Sequence, residues 1–231
     1  QQGFLTRYTH VTYGLGFIIT REMVDDDLYD IIGKKRAQGL AFSMRQTKEI
    51  IAANVYNNAF DSTYSGGDGK ELLATDHPTI MGAAFANENT AATLSEASLE
   101  DLSIDIMQAK NDRGLNISLI PDCLIINPEL VYEADRILNS PLRVGTANND
   151  LNALRNMGKF PGGVKVNHYL TDTNAYFIRT NCPDGMKHFE RRGDDFSMDN
   201  DWDTDNAKYK ATGRYSFGWT DPRGLYGNAG A

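Results

Sequence analysis

The chain has 231 residues, a formal net charge of −8 and a pI of about 5.0. This acidity argues against a sequence-independent nucleic-acid binder, which needs a basic surface to neutralise phosphates. Hydrophobic residues make up 41% of the chain and aromatic residues 10%. We therefore expect one large or two small folded domains, with a core that needs no metal or disulfide.

The apolar runs argue against a membrane-spanning protein, and the cysteines argue against a disulfide-bonded one. No run approaches the roughly 18 apolar residues of a membrane-spanning helix, so no membrane partner is expected. Cys123 and Cys182 lie far apart and form no C-x-x-C motif, so both are predicted to be reduced thiols.

The first third of the chain predicts a strand followed by a long helix. Residues 11–19 alternate between apolar and small or polar side chains, which is the period of a strand. Residues 24–58 contain no Pro and show apolar residues at helical spacing, which predicts a helix of roughly 50 Å. Asp25 to Asp27 suit the positive end of its dipole. Gly33 and Gly39 each cost about 1 kcal/mol relative to Ala and mark where it could kink.

Residues 61–90 read as a loop, with Ser65–Gly69 as its loosest stretch. Lys70 directly follows these glycines, which invites comparison with a phosphate-binding loop. That motif requires Gly at position 64 and Ser or Thr at position 71, where this chain has Tyr64 and Glu71. A flexible loop tip is therefore the better interpretation.

The middle of the chain carries clear helix signals around a buried strand. Thr93 and Glu96 predict a capping box, and Gly114 predicts the end of that helix. Residues 123–126 are continuously apolar and predict a buried strand. Asn127-Pro128 predicts the start of a third helix, with Asn as the N-cap. The predicted buried positions of the two helices are Leu99, Leu102, Ile106, Leu130, Val131, Ala134, Ile137 and Leu138.

Shorter elements follow. Residues 139–163 read as an Asn- and Gly-rich loop with a short helix near 151–157. Residues 164–168 and 175–179 predict a hairpin-like pair of strands, and 186–191 predicts another strand. Helices and strands mix without regular βαβ alternation, so the predicted fold class is α+β.

The last predicted strand, residues 209–220, runs into the turn Asp221-Pro222-Arg223-Gly224. Its period of two places Tyr215, Phe217 and Trp219 on one face, which we expect to be buried. Truncating a buried Trp219 to Ala would cost about 3–5 kcal/mol. The pattern is typical of a structural sheet edge and not of a catalytic site.

An acidic segment is the strongest candidate for metal chemistry. Asp199, Asp201, Asp203 and Asp205 alternate, with Asp194 and Asp195 upstream. A calcium-binding EF-hand loop starting at Asp199 would need Gly and Glu where the chain has Thr204 and Lys210. We interpret the segment as a solvated acidic loop and predict no catalytic residue, cofactor-binding residue or metal site. A metal-dependent α+β enzyme using Asp194–Asp205 remains an alternative.

Five stretches in a fixed order carry a family resemblance. The chain resembles the major capsid proteins of tailed phages, in particular the Mu-like major head subunit group of the Hong Kong 97 fold. The stretches are 14–23 (GLGFIITREM), 71–78 (ELLATDHP), 124–128 (LIINP), 169–177 (YLTDTNAYF) and 213–227 (GRYSFGWTDPRGLYG).

The resemblance implies a domain layout. Residues 1–23 would be a remnant of the extended (E) loop, with a strand leading into the peripheral (P) domain. Residues 24–70 would form the P domain with its long spine helix. Residues 71–186 would form the axial (A) domain. Residues 187–231 would return to the P domain as strands. An N-terminal arm and most of the E loop would precede the position of residue 1.

Within this layout the closing strand would pair with residues 11–20, and its aromatic face would pack on the spine helix. The tail 225–231 would lie at a subunit boundary. A structural or assembly role is accordingly expected for the residues of the strand and turn: Tyr215, Phe217, Trp219, Asp221, Pro222, Arg223 and Gly224.

The resemblance implies a non-enzymatic shell protein without cofactors. Copies would assemble as pentamers and hexamers into an icosahedral head that encloses double-stranded DNA without sequence-specific binding. Scaffolding, portal and decoration proteins are the expected further partners. The protein would be made in the bacterial cytoplasm and reside in the virion capsid. The nearest alternative is an encapsulin-like nanocompartment shell, and a phage tail or decoration protein is a more distant one.

Overall fold

The computed structural model describes residues 3–26, 29–143 and 150–231. The chain divides into two compact units, each described here by itself. The hairpin unit comprises Tyr8–Ala52 and His188–Gly218. The sheet unit comprises Gln1–Arg7, Ala53–Lys187 and Trp219–Ala231. Both units mix helices with sheets, which confirms the predicted α+β class.

The described residues form helices and strands with the following bounds. The helices are α1 (Arg21–Asp25), α2 (Tyr29–Asn57), α3 (Glu96–Met107), α4 (Val131–Asn139) and α5 (Ala153–Met157). The strands are β1 (Val11–Ile19), β2 (Pro121–Ile126), β3 (Val164–Val166), β4 (Tyr176–Thr180), β5 (Met186–Asn200), β6 (Ala207–Trp219) and β7 (Leu225–Asn228). Short 3₁₀ turns cover Pro128–Leu130 and Pro222–Gly224.

The hairpin unit is built on a three-stranded sheet in the order β1-β6-β5. β1 and β6 are antiparallel, with a register that runs from Val11 opposite Tyr215 to Ile19 opposite Ala207. This confirms the predicted pairing of the closing strand with residues 11–20. Cross-strand aromatic stacking supports the register, since the ring centres of Phe17 and Tyr209 lie 4.9 Å apart.

The long predicted helix is confirmed as α2, which spans about 43 Å. The predicted start was wrong, because a separate helix α1 begins at Arg21, where the Thr20 hydroxyl accepts from the Met23 amide. Asp25 therefore ends a helix, and Asp27 lies outside the described residues. The helix runs through Gly33 and Gly39 without a break.

The sheet unit is built on a four-stranded sheet in the order β3-β2-β4-β7. β2 is apolar on both faces and therefore occupies a central position. β3 pairs parallel to β2 on one side, and β4 pairs antiparallel on the other. The predicted hairpin of residues 164–168 and 175–179 was therefore wrong, since β2 lies between its two strands.

Each face of this sheet packs against its own hydrophobic cluster. One cluster contains the predicted buried face of α3 (Leu99, Leu102, Ile106) together with Ala134 and Ile137 of α4. The other contains Leu72 and Leu73 from the loop before α3, with Phe177 and Leu225. Residues 61–90 thus contribute side chains to the core, although they form neither a helix nor a strand.

Three helix ends differ in detail from the prediction. Ser95, not Thr93, caps α3, and its reciprocal partner is Ser98. The helix ends at Met107, and Gly114 occupies a later turn with a φ of 78°. The Asn127 side chain accepts from the Glu129 amide as predicted, but the first turn after it is 3₁₀.

The C-terminal part contains more β-strand than predicted. β5 continues to Asn200, so Asp194, Asp195 and Asp199 lie on a strand and not in a loop. Residues Leu225–Asn228 form the buried strand β7, which pairs with β4. The prediction that the tail lies at a subunit boundary was therefore wrong for these four residues.

The cysteines and the helices of the described residues can be compared with the composition. Cys123 and Cys182 are both free thiols, as predicted. None of the helices in the described ranges is long and apolar enough to cross a membrane.

The α2 glycines provide a test of the helix. A Cβ added at Gly39 would meet no atom within 4 Å, whereas one at Gly33 would come within 3.0 Å of Ile19 Cδ1. Gly39→Ala should therefore raise the free energy of unfolding by about 1 kcal/mol, measured by urea unfolding followed by helix circular dichroism. Gly33→Ala is the matched control and should raise the free energy of unfolding by less. Equal gains, or a loss at Gly39, would contradict this packing.

Candidate functional site

The predicted Asp-Pro-Arg-Gly turn lies in the sheet unit, where it closes a 3₁₀ turn. The Asp221 carboxylate accepts from the Arg223 amide at 2.9 Å and caps the turn. Gly224 contacts Gly185, because a Cβ added to Gly224 would lie 2.3 Å from the Gly185 Cα. The glycine is therefore required for close backbone packing.

The Arg223 side chain is 7% exposed and ties the turn to two other segments. Its Nη2 donates to Asp112 Oδ1 at 2.7 Å, and its Nε donates to the Lys110 carbonyl at 2.9 Å. The guanidinium also lies 4.3 Å from the ring centre of Phe85. Hydrogen bonding and stacking together fix this arginine in one orientation.

His77 stacks on the same aromatic residue, with 4.9 Å between its ring centre and that of Phe85. The imidazole is fully buried, and its Nδ1 lies 2.7 Å from Asp68 Oδ2. Its Nε2 lies 3.0 Å from Asn87 Oδ1. The backbones of His77 and Phe85 also exchange two hydrogen bonds. These two backbone hydrogen bonds hold the ends of the loop between His77 and Phe85 together.

Asn87 joins these groups to the sheet. Its Nδ2 donates to the carbonyls of Leu72, Pro222 and Leu225 at 2.8, 3.0 and 3.0 Å. Its Oδ1 accepts from the Ala74 amide at 2.9 Å. Because Nδ2 faces three acceptors, the amide orientation is fixed, and Oδ1 must also accept from His77 Nε2.

We call Asp68, His77, Phe85, Asn87 and Arg223 the latch. The latch corrects the prediction that Ser65–Gly69 is a flexible loop tip. A Cβ added at Gly66 would lie 3.0 Å from Trp219 Nε1, and one at Gly67 would lie 2.8 Å from the Leu5 backbone. These glycines permit close packing. The sequence patterns did not identify the first four latch residues, since isolated residues in a loop show no period.

A cavity of about 240 Å³ adjoins the latch and is lined partly by Phe4, Thr6 and Trp219. It is smaller than the roughly 300–1,000 Å³ of typical ligand sites. Five charged residues line it: Arg223 pairs with Asp112 and Asp221, Asp68 contacts His77, and Asp184 pairs with Lys187. The arrangement is suited to holding segments together.

The predicted aromatic face is divided between the two units. Tyr215 lies in the hairpin unit, is buried, and stacks on Tyr13 with ring centres 5.0 Å apart. Lys48 of α2 places its Nζ 5.1 Å from the Tyr215 ring centre, so Tyr215 contacts the long helix as predicted. Phe217 is half-buried and stacks on His188 at 4.6 Å.

Trp219 lies in the sheet unit with the Asp221–Gly224 turn. It packs on the cluster of Leu72 and Phe177 but is only half-buried, so the prediction of full burial was wrong. The strand ends at this residue, and its indole covers the margin of the cluster next to Gly66.

The acidic segment shows no metal-binding geometry. Across the described ranges, His, Cys, Asp and Glu side chains form no group of three or more that could hold a metal ion. Asp201 pairs with Lys208 at 2.5 Å and accepts from the Thr204 hydroxyl. The hydrogen bond from Lys208, and then that from Thr204, lower the pKa of Asp201 below its usual value.

Comparison with known proteins identifies one family. The sequence model of the family described as Phage capsid protein matches residues 5–228. A comparison with curated protein sequences finds no match.

Several solved structures share the fold. The capsid of Myoviridae phage XM1 is 10% identical with a TM-score of 0.58, and the match covers 96% of this chain and 74% of that chain. Mycobacterium phage Che8 is 14% identical with a TM-score of 0.52, and the match covers 96% of this chain and 72% of that chain. The holo-SrpI encapsulin complex from Synechococcus elongatus is 10% identical with a TM-score of 0.56, and the match covers 96% of this chain and 75% of that chain. At such low identities the likeness shows the fold alone.

The latch predicts an unusual sensitivity at Asn87. Asn87→Asp would direct a carboxylate oxygen at three carbonyl oxygens, which cannot donate to it, and should destabilise the protein by about 3 kcal/mol or more. The measurement is the urea midpoint of the variant against wild type. Asn111→Asp provides a control, since that side-chain oxygen accepts from two exposed loop amides and a carboxylate can do the same. A wild-type midpoint for Asn87→Asp would contradict the latch.

The two tryptophans form a matched pair. Because Trp219 is half-buried, Trp219→Ala should cost about 2 kcal/mol, below the range for a fully buried aromatic residue. Trp202 is 94% exposed, so Trp202→Ala should change the free energy of unfolding by less than about 0.5 kcal/mol. Chemical denaturation of both variants measures the difference, and equal effects would show that Trp219 does not pack as described.

Proposed function

Because this chain belongs to the phage capsid protein family and is a major capsid shell protein, we propose that its copies self-assemble into the icosahedral head of a tailed phage. The head would enclose double-stranded DNA. The single observation that carries this proposal is the family match over residues 5–228, nearly the whole chain.

We propose the finer placement in the Mu-like group with the Hong Kong 97 fold from the five ordered stretches together with the architecture. The hairpin unit would be the P domain, since it holds most of the long helix and the long strands β5 and β6. The sheet unit would be the A domain. The domain boundaries would then lie near residues 52 and 187, and residues 219–231 would join the A domain.

The net charge supports a container for a polyanion. A net charge of −8 limits adhesion of the wall to packed DNA, so DNA is enclosed without sequence-specific binding. The polar groups of the latch are used to join segments of one unit, which suits a rigid shell subunit. We propose accordingly that the protein has no enzymatic role.

The proposed partners are other copies of this chain, arranged as pentamers and hexamers, with scaffolding, portal and decoration proteins as further components. Assembly would take place in the bacterial cytoplasm, and the product would be the virion capsid. An encapsulin-like compartment is the second candidate. It is favoured by a TM-score of 0.56 to the SrpI encapsulin, close to the value for the XM1 capsid.

Electron microscopy of particles tests both candidates. The full chain should form closed shells in negative stain, and shells recovered from infected cells should protect double-stranded DNA from nuclease. Enzyme cargo in place of nucleic acid would support the compartment. A strictly monomeric protein, with or without a scaffolding protein, would contradict the shell function. Cells that lack the gene, processed in parallel, are the control for contaminating particles.

A further inference from the structure

The tip of the β5–β6 hairpin carries the most exposed large hydrophobic side chain in the described part of the protein. Trp202 is 94% exposed there. A tryptophan held in water at the end of a hairpin gains nothing for the stability of its own unit. Tryptophan is also among the residues most enriched at the energetic centres of protein interfaces. The residue therefore indicates a contact with another molecule.

The hairpin tip is ordered and acidic. The Asp201 amide donates to the Asn206 carbonyl at 2.9 Å, and the Thr204 hydroxyl donates to the Asp201 carboxylate at 3.0 Å. Asp205 adopts the left-handed backbone conformation, with a φ of 52°. Asp203, which follows Trp202 in the sequence, is exposed. Because the tip is held in one shape, Trp202 is presented at a low entropic cost to a partner.

The same unit contains a groove that fits such a side chain. The groove lies between β1 and α2 and has a volume of about 510 Å³. It is lined in part by Leu15, Phe17, Ile18, Gly39 and Leu40. Leu15 and Ile18 are large apolar residues with about half of their surface exposed. A Cβ added at Gly39 would meet no atom within 4 Å, so this side of the groove is open.

One positively charged residue lies at the groove. Arg36 lines the groove, and its Nη1 donates to the Ile18 carbonyl at 2.6 Å, which fixes the guanidinium beside the apolar floor. A guanidinium has five donor hydrogens, and this bond uses one of them. The groove thus offers apolar surface and positive charge, and the tip offers an indole and negative charge.

We propose that the β5–β6 hairpin tip of one copy docks into the β1–α2 groove of a second copy, with Trp202 in the groove and Asp203 facing Arg36. Within one copy, Trp202 does not line the groove and is almost fully exposed. The two surfaces differ, so the contact is heterologous and repeats from copy to copy, as closed rings and shells require. It rests on the proposed shell function and specifies one interface of the assembly.

Paired cysteine variants test the contact. Asp203→Cys is placed on one preparation of the full chain and Gly39→Cys on another, so that Trp202 is kept in both. Mild oxidation of the mixture should give a disulfide-linked dimer, and each variant alone should give none. Cys123 is buried, and burial raises the pKa of the Cys182 thiol, so the parent protein should remain uncrosslinked.

A third variant separates the specific contact from random collision. Adding Trp202→Ala to the Asp203→Cys chain should reduce the dimer yield at least about tenfold, because an interface centre is lost while the fold is kept. An unchanged yield would overturn the proposal. Dimers of Asp203→Cys alone would indicate tip-to-tip contact and would also overturn it.

The shell function and the docking contact can fail separately. Shells without the mixed crosslink would refute the docking and leave the shell function standing. A mixed crosslink that depends on Trp202 in a protein that forms no shells would support the docking and refute the shell.

Discussion

The side-chain amide of Asn87 is the interaction on which the sheet unit depends. It pairs with the Ala74 amide and with the carbonyls of Leu72, Pro222 and Leu225, which belong to the loop before α3, the 3₁₀ turn and the start of β7. A buried polar group without a partner costs about 1–3 kcal/mol. One asparagine therefore allows the loop before α3 to bring Leu72 and Leu73 into the core. The 3₁₀ turn at Pro222 and the start of β7 are fixed by the same amide.

The other latch residues extend this principle outward. His77 pairs with Asn87 through Nε2 and with Asp68 through Nδ1, and both the His77 ring and the Arg223 guanidinium stack on Phe85. Each polar atom is used to hold a neighbouring segment. A unit stabilised in this way presents a fixed shape to its surroundings, which is what a shell subunit needs. This agrees with membership of the phage capsid protein family.

The sequence predicts the elements that have a period and misses the interactions that do not. β1, β6, α2 and β2 were predicted because apolar residues repeat every two or 3.6 positions or form a continuous run. The pairing of β1 with β6 followed from the family resemblance. The order β3-β2-β4-β7 could not be predicted, because strand order depends on contacts distant in sequence. Asp68, His77 and Asn87 were missed, since three separate polar residues show no pattern until folding brings them together.

Native-state hydrogen exchange is the most direct measurement of the role of Asn87. The Ala74 amide donates only to the Asn87 side chain among the described contacts, so its protection reports on this interaction. We predict that Ala74 exchanges as slowly as the Leu124 amide in the central strand, through opening of the whole sheet unit. Exchange of Ala74 at the rate of an exposed loop amide, such as that of Arg113, would contradict the account.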